Sequence, residues 1–237
     1  MTRLKKSIIC TLLLCLIFTA FTLSPPQKVY AADSSASVIG YEQKTVKREY
    51  KDEKGIVRGI VSFEYPKFIG TTPAVKKINK EIRKARKQYF QSDNAKNIRE
   101  TTKDSIKNNR FHYDSDQYFW TTGCAMTYGK GNIVSFSMTE DWYAGGVHNR
   151  YDYGFNYDLN TGKKLTIDDV IEGDARAEIL KAAQKYCKDD TRALNIIKNT
   201  KKYKFFLDEG KVYICYGSYE LSHGTSIDIF EVKGKYK

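Results

Sequence analysis

The order of strand-like and helix-like segments constrains the fold of this chain more than any other feature. Residues 41–65 contain two β-rich runs around a charged turn that ends in Gly55, and residues 118–142 contain two more around Gly129-Lys130-Gly131. Glycine adopts the positive φ that tight turns require. Each pair of runs therefore predicts an antiparallel hairpin.

A long helix is predicted after the first hairpin. Pro66 is expected to end the preceding strand, and Thr72 followed by Pro73 has the pattern of a hydroxyl N-cap with proline at the first helical position. Apolar residues then recur at three- and four-residue steps: Ala74, Ile78, Ile82, Ala85 and Tyr89. This stripe predicts a helix packed on the N-terminal sheet. Residues 91–110 predict either a second, weak helix or a mobile connection.

The second half of the chain predicts a group of helices before the last strands. A strand is predicted at residues 151–158, and Thr166 with Asp169 has the pattern of a capping box. Asp174 is the predicted N-cap of a helix with the apolar stripe Ala177, Leu180, Ala183 and Cys187, and a further helix is predicted at 191–199. Three β-rich runs follow within residues 203–232.

Strands with helices inserted in groups predict an α+β fold with antiparallel sheets. We expect a long helix on the N-terminal sheet and a group of helices before the last three strands. The predicted subdomains are residues 32–110 and 111–237.

The first thirty or so residues have the pattern of a secretory signal peptide. A basic start (Arg3, Lys5 and Lys6) is followed by an apolar run from residue 7 to 23, and Val29-Tyr30-Ala31 has small or apolar residues where a signal peptidase cuts. We predict residues 1–31 as the leader, and a secreted or envelope-associated bacterial protein with no stable membrane span after cleavage. The alternative is that the apolar run stays as an uncleaved membrane anchor.

The charge of the chain is strongly positive. It has 40 Lys and Arg against 28 Asp and Glu, a net charge of +12, and the predicted leader removes four basic residues and no acidic one. An anionic partner is therefore favoured. We expect no nucleic-acid partner.

Three cysteines, Cys124, Cys187 and Cys215, lie after the leader. They are interpreted as small buried hydrophobic residues, with one disulfide and a free thiol as the alternative. Their wide spacing is not that of a metal site, so no metal and no cofactor are predicted.

The segment from Trp142 to Arg150 is the first candidate binding site. It places Trp142, Tyr143, His148 and Arg150 around the pair Gly145-Gly146, a composition typical of a ligand-binding loop and also of a simple turn between strands. The second candidate is the outer face of the long helix, with Lys76, Lys80, Arg83 and Lys87. That face is either a polyanion-binding surface or merely solvated.

No catalytic residue is predicted. His223 and Glu220 lack the spacing of a zinc site or a triad, and Asp141, Asp152 and Asp158 suggest glycan hydrolysis only if two of them lie at a suitable separation. A glycan-active enzyme is therefore kept as a minor alternative.

Several stretches resemble a known bacterial extracytoplasmic module. They are residues 65–70, 78–82, 145–148, 157–163, 165–169, 205–210 and 219–220. The module consists of two adjoining domains of unknown function, found in the extracellular part of the lysozyme-sensing anti-sigma-V factor and ahead of the catalytic domain in some peptidoglycan deacetylases. The chain lacks the sigma-binding and deacetylase parts, so the resemblance implies the fold and an envelope location.

These features together predict a non-enzymatic, secreted module that binds the cell envelope. Its expected partner is an anionic wall polymer or a wall-directed protein, recognised through the basic helix and the aromatic loop. Binding or inhibition of lysozyme is the alternative function.

Overall fold

The computed structural model describes residues 27–29, 39–221 and 224–236. The strands in this part of the chain are β1 (Gln27–Val29), β2 (Ile39–Lys51), β3 (Val57–Phe68), β4 (Tyr118–Lys130), β5 (Ile133–Tyr143), β6 (His148–Asp158), β7 (Lys163–Lys164), β8 (Lys204–Asp208), β9 (Lys211–Tyr216) and β10 (Asp228–Lys233). The helices are α1 (Pro73–Gln91), α2 (Asp93–Lys107), α3 (Ile167–Val170), α4 (Ala175–Cys187) and α5 (Thr191–Asn199). The fold is α+β, as predicted.

The larger sheet has the strand order β1-β2-β3-β4-β5-β6-β7. Its neighbouring strands are antiparallel except for β3 and β4, which pair in parallel from Gly59 with Tyr118 to Ser62 with Thr121. The predicted antiparallel pairing holds for the other neighbouring strands of this sheet, and the β3–β4 pair is the exception. A parallel pair needs a long crossover, and α1 and α2 form it.

Both predicted hairpins are confirmed, as β2–β3 and β4–β5. The prediction that Pro66 ends its strand was wrong, because β3 continues to Phe68 and Pro66 pairs with Gln43. A proline is tolerated there because β4 pairs with β3 only as far as Ser62. Beyond Ser62, β3 therefore pairs with a strand on one side only, which is β2. The missing N–H of Pro66 does not remove a hydrogen bond to a second neighbouring strand.

Helix α1 begins as predicted. The Thr72 hydroxyl accepts a hydrogen bond from the Val75 N–H at 3.2 Å. The predicted apolar stripe faces the sheet. Asn79 ties the helix to the end of β3, since its amide accepts from the Phe68 N–H and donates to the Phe68 carbonyl. The open alternative for residues 91–110 is resolved as helix α2, which Ser92 caps.

Aromatic and aliphatic side chains fill the space between the helices and the larger sheet. Phe63, Phe136 and Ile78 are fully buried there, and Tyr89 of α1 stacks on Trp120 of β4 with 3.7 Å between ring centroids. This hydrophobic cluster extends along the chain from Tyr41 to Leu159. The predicted subdomain boundary at residues 110 and 111 falls inside it, between two paired strands.

The smaller sheet, of order β10-β9-β8, packs against α4 and α5 around a second hydrophobic cluster. Asp174 caps α4 as predicted, with its carboxylate accepting from the Ala177 N–H at 3.1 Å. The predicted apolar stripe of α4 was partly wrong, because Ala177 is exposed and Ile179 is fully buried. Ala183 is buried as predicted.

The edge of the smaller sheet meets the uncovered face of the larger one through buried hydrogen bonds. The Ser135 hydroxyl of β5 accepts from the Leu207 N–H at 2.9 Å and donates to the side-chain oxygen of Asn156 at 2.7 Å. The side-chain NH₂ of Asn156 donates to the Phe205 backbone carbonyl at 2.8 Å. Gly154 has no room for a side chain, since a Cβ there would lie 2.0 Å from the Phe205 carbonyl oxygen.

Most of the predicted leader lies outside the described residues. Gln27–Val29, inside the predicted leader, pairs with β2. Cys124, Cys187 and Cys215 are free thiols, of which Cys124 and Cys215 are buried. The disulfide alternative is therefore not formed. Among the described residues, no helix is long and apolar enough to cross a membrane.

Candidate functional site

The segment from Trp142 to Arg150 forms the tip of the β5–β6 hairpin. Tyr143 pairs with His148 in the register, and the chain reverses through Gly145 at φ +88°. A β-branched or bulky residue is strained at this φ. The predicted glycine turn is therefore present.

Because side chains alternate between the two faces of the sheet along β5 and β6, the four predicted binding residues do not all lie on the same face. Tyr143, His148 and Arg150 share one face of the sheet, because paired residues in register project to the same side. Trp142 projects to the opposite face, where its ring packs against the first hydrophobic cluster. Its buried indole N–H has no hydrogen-bond partner among the described residues. The structure therefore does not bring Trp142 together with His148.

Both cationic side chains of the hairpin tip have acidic neighbours. His148 Nε2 lies 3.2 Å from Asp141 Oδ1, and Arg150 Nε lies 3.5 Å from Asp152 Oδ1. Burial raises the pKa of Asp152, and the Arg150 charge opposes that rise. Since the carboxylates offset the cations, this face is a weak attractor for polyanions.

The other acid–base candidates take structural roles. Asp158 accepts hydrogen bonds from the N–H groups of Asn160 and Thr161, which fixes the turn after β6. Glu220 accepts from the Lys204 ammonium at 2.7 Å and from the Gly217 N–H. His223 lies outside the described residues.

The second predicted site is exposed along one line of α1. Lys76, Lys80, Arg83 and Lys87 follow one another at steps of four, three and four residues, so they share one face of the helix, and all four are exposed. None of them forms an ion pair within the described part of the chain. We call these four residues the α1 basic surface.

A pocket of about 290 Å³ continues this surface toward β2 and β3. Arg83 lines it together with Lys44, Tyr65, Lys67, Asn79, Ile82 and Arg86. Arg86 donates to the Tyr65 hydroxyl at 2.8 Å and lies 5.4 Å from the ring centroid. Because no carboxylate is among the lining residues, the pocket extends the positive surface.

Sequence reasoning missed a larger cleft of about 710 Å³ on the far side of the larger sheet. It lies between the outer edge of β6, the β7–α3 segment and the chain leading into β8. Four lysines line it: Lys164, Lys201, Lys202 and Lys204. The lysine pairs at 163–164 and 201–202 are visible in the sequence, but no local pattern predicts that they meet. We call this feature the inter-sheet cleft.

No group of three or more His, Cys, Asp or Glu side chains is arranged to hold a metal ion among residues 27–29, 39–221 and 224–236.

Comparison with known proteins finds one partial family match and two similar solved structures. A family model described as deacetylase PdaC matches residues 50–150, less than half of the chain, from the end of β2 to the start of β6. The chain matches no curated protein.

Two solved structures are similar to about four-fifths of the chain. A DUF3298 family member from Bacteroides fragilis has 15% sequence identity and a TM-score of 0.55, with 82% of this chain and 89% of that chain covered. A DUF3298 family protein from Pseudomonas aeruginosa has 16% identity and a TM-score of 0.48, with 81% and 89% covered. The first supports the fold, which is that of a domain of unknown function.

Proposed function

We propose that this chain is an exported, non-enzymatic module of the bacterial cell envelope that binds an anionic wall polymer through the α1 basic surface. The observation that carries the proposal is a line of four exposed cations without ion-pair partners among the described residues. Export is inferred from the leader pattern, and the envelope location from the sequence resemblance to an extracytoplasmic module.

The charge pattern of α1 favours binding of a polyanion to this face over a face that is merely solvated. The helix contains one acidic residue, Glu81, within a run of lysines and arginines. Like charges four residues apart, such as Lys76 with Lys80 and Arg83 with Lys87, destabilise a helix by roughly 0.2–0.5 kcal/mol per pair. A bound polyanion removes this repulsion, so binding and helix stability reinforce each other.

The pocket beside the α1 basic surface adds fixed donors. Arg86 is held by Tyr65, and Asn79 is held by the backbone of Phe68, so neither must be ordered on binding. Groups that are already ordered lose little conformational entropy when a ligand arrives. A charged repeat of a polymer lying along α1 can therefore insert into the pocket.

The hairpin tip has a smaller part in the proposal, because its cations face carboxylates. Binding of a wall-directed protein such as lysozyme stays a prediction from the sequence resemblance.

The test is retention of the protein on purified, acid-polymer-containing cell wall at low and at high salt. We expect retention at low salt that falls as salt rises to about 1 M, where exposed charges are screened beyond roughly 3 Å. Replacing Lys76, Lys80, Arg83 and Lys87 by glutamine should abolish most of it.

The matched control replaces four exposed lysines elsewhere, Lys103, Lys107, Lys181 and Lys185, which changes the net charge equally. Equal loss in both variants would show that net charge matters and the α1 basic surface does not. Release of acetate from acetylated wall by the protein would contradict the non-enzymatic part of the proposal.

A further inference from the structure

The inter-sheet cleft has the construction of a ligand site. Its walls come from three separate segments, residues 153–156, 164–168 and 201–205, which fold toward each other from both sheets. Its volume of about 710 Å³ lies within the roughly 300–1,000 Å³ typical of small-ligand sites. A depression of about 740 Å³ along α5 is lined by residues 191–200 alone, so it has no opposing wall.

The charged side chains that line the cleft are mostly positive. Lys164, Lys201 and Lys202 are exposed and have no ion-pair partner among the described residues, and Asp168 is the one acidic residue that lines the cleft. Lys204 is held between Glu220, at 2.7 Å, and the Tyr151 ring, at 5.4 Å. Three free ammonium groups therefore surround the opening.

The floor of the cleft is apolar and ordered. Leu165 and Phe205 are buried, and the Tyr203 hydroxyl donates to the Ile197 carbonyl at 3.1 Å, which fixes the orientation of its ring. An aromatic ring held in this way offers a flat face to an apolar ligand surface, such as the C–H face of a sugar ring.

The edge of β6 contributes unused backbone groups. The Arg150 carbonyl accepts from Ser218 and the Asn156 carbonyl accepts from Leu165, but no described strand pairs with the edge between them. In an antiparallel strand every second residue projects its N–H and C=O to the same edge. Gly154 therefore presents both groups to the cleft, where they can bind hydroxyl groups.

We infer that the inter-sheet cleft binds a short oligosaccharide that carries carboxylate groups. The lysines meet the carboxylates, the Tyr203 ring meets a sugar face, and the Gly154 backbone meets hydroxyls. Lysine suits carboxylates spaced along a sugar chain, because its compact charge sits on a flexible stem. The inference does not rest on the α1 basic surface, since the pocket there borders β2 and β3 and the cleft borders β6 and β7.

Titration of the protein with trigalacturonic acid, followed by calorimetry, tests this inference, with neutral maltotriose as the control ligand. We expect trigalacturonic acid to bind and maltotriose to bind at least about tenfold more weakly. Replacing Lys164, Lys201 and Lys202 by glutamine should weaken the trigalacturonic acid complex by about tenfold or more, since charge-assisted contacts are the stronger ones.

The control variant replaces the exposed Lys103, Lys107 and Lys181 by glutamine, which removes the same charge and should leave this affinity unchanged. A separate variant with Lys76, Lys80 and Lys87 replaced by glutamine, the α1 variant, reports whether the ligand binds the α1 basic surface instead. Absence of binding, or loss of binding in the α1 variant with none in the cleft variant, would overturn the inference and leave the α1 proposal standing. Inorganic phosphate that competes as tightly as trigalacturonic acid would show a simple anion site and overturn the oligosaccharide assignment.

Discussion

The two faces of the larger sheet are covered in opposite ways. On one face α1 and α2 cover a continuous layer of apolar side chains, in which Phe63, Phe136 and Ile78 are fully buried. On the other face the smaller sheet arrives edge-on, and buried hydrogen bonds of Ser135 and Asn156 cross the contact. Tyr128 and Ile133 of the larger sheet lie beside them in the second hydrophobic cluster. Both contacts exclude water, but they do so with different chemistry.

The two contacts contribute differently to the stability of the protein and to the relative orientation of the two sheets. Apolar burial contributes roughly 25 cal/mol per Å² and has no preferred direction, so it tolerates small shifts of a helix. A buried hydrogen bond weakens steeply when its angle or length changes. The helix-covered face therefore contributes stability with little preference of direction. The hydrogen bonds of Ser135 and Asn156 fix the angle between the sheets and with it the shape of the inter-sheet cleft.

The largest effect is expected on the apolar face. Phe136→Ala should lower the free energy of unfolding by about 3–5 kcal/mol, because it leaves a cavity where the ring contacts Tyr41 and Phe68. Chemical denaturation measures this change. Phe206→Ala, in a half-buried ring stacked on Tyr213, is the control and should cost clearly less. Equal losses would contradict the expectation that the fully buried Phe136 ring stabilises the fold more than the half-buried Phe206 ring.

A smaller effect is expected on the polar face. Asn156→Ala should destabilise by about 1–3 kcal/mol, because the Phe205 carbonyl loses its donor and the Ser135 hydroxyl loses its acceptor in a buried place. Affinity for trigalacturonic acid should fall as well, since the cleft loses its fixed shape. Asn195→Ala, at an exposed position of α5, is the reference variant. If Asn156→Ala and Asn195→Ala changed the free energy of unfolding equally, the buried hydrogen bonds of Asn156 would have no orienting role.

The smallest effect concerns one carboxyl on each face. Burial raises the pKa of Glu140, on the helix side, against the Trp120 N–H and the Lys204 charge, and burial also raises the pKa of Asp152 on the other side. A folded state that holds a proton more tightly than the unfolded chain loses stability as pH rises above the unfolded pKa, near 4.5 for Glu140, and levels off above the folded pKa.

Glu140→Gln should therefore flatten the fall in stability as pH rises above about 4.5, with a change within about 1 kcal/mol at neutral pH. Its amide oxygen can still accept from Trp120, whose N–H lies 2.8 Å from Glu140. Denaturation at a series of pH values measures the slope. Asp152→Asn reports the contribution of the opposite face, and an unchanged slope in Glu140→Gln would show that Glu140 does not titrate differently on folding.

Local signals in the sequence predicted the elements well. Thr72 and Asp174 cap helices through bonds to residues three positions away, and the glycines at the hairpin turns act within four residues. Such contacts depend on adjacent residues alone, so a single sequence contains them. The predicted stripe of α4 was wrong at Ala177, because Ala177 and Ile179 lie on different faces of the helix. The position of the smaller sheet decides which of the two is buried.

Local sequence patterns did not predict the contacts between segments that are distant in the chain. Nothing near Gly59 indicates a parallel partner at Tyr118, and nothing near Lys164 indicates that Lys202 lies across a cleft. The α1 basic surface was predictable, because four charges at helical spacing must share a face. The separation of Trp142 from His148 follows from strand alternation once the register is known.

The hydrogen bonds at the edge of β8 have a consequence for association between molecules. An uncovered sheet edge is a template on which another chain can add a strand. Because Leu207 gives its N–H to Ser135 and Phe205 gives its carbonyl to Asn156, this edge has no free pair of groups to offer at its centre. The contact that orients the two sheets thus also protects this strand from edge-to-edge aggregation.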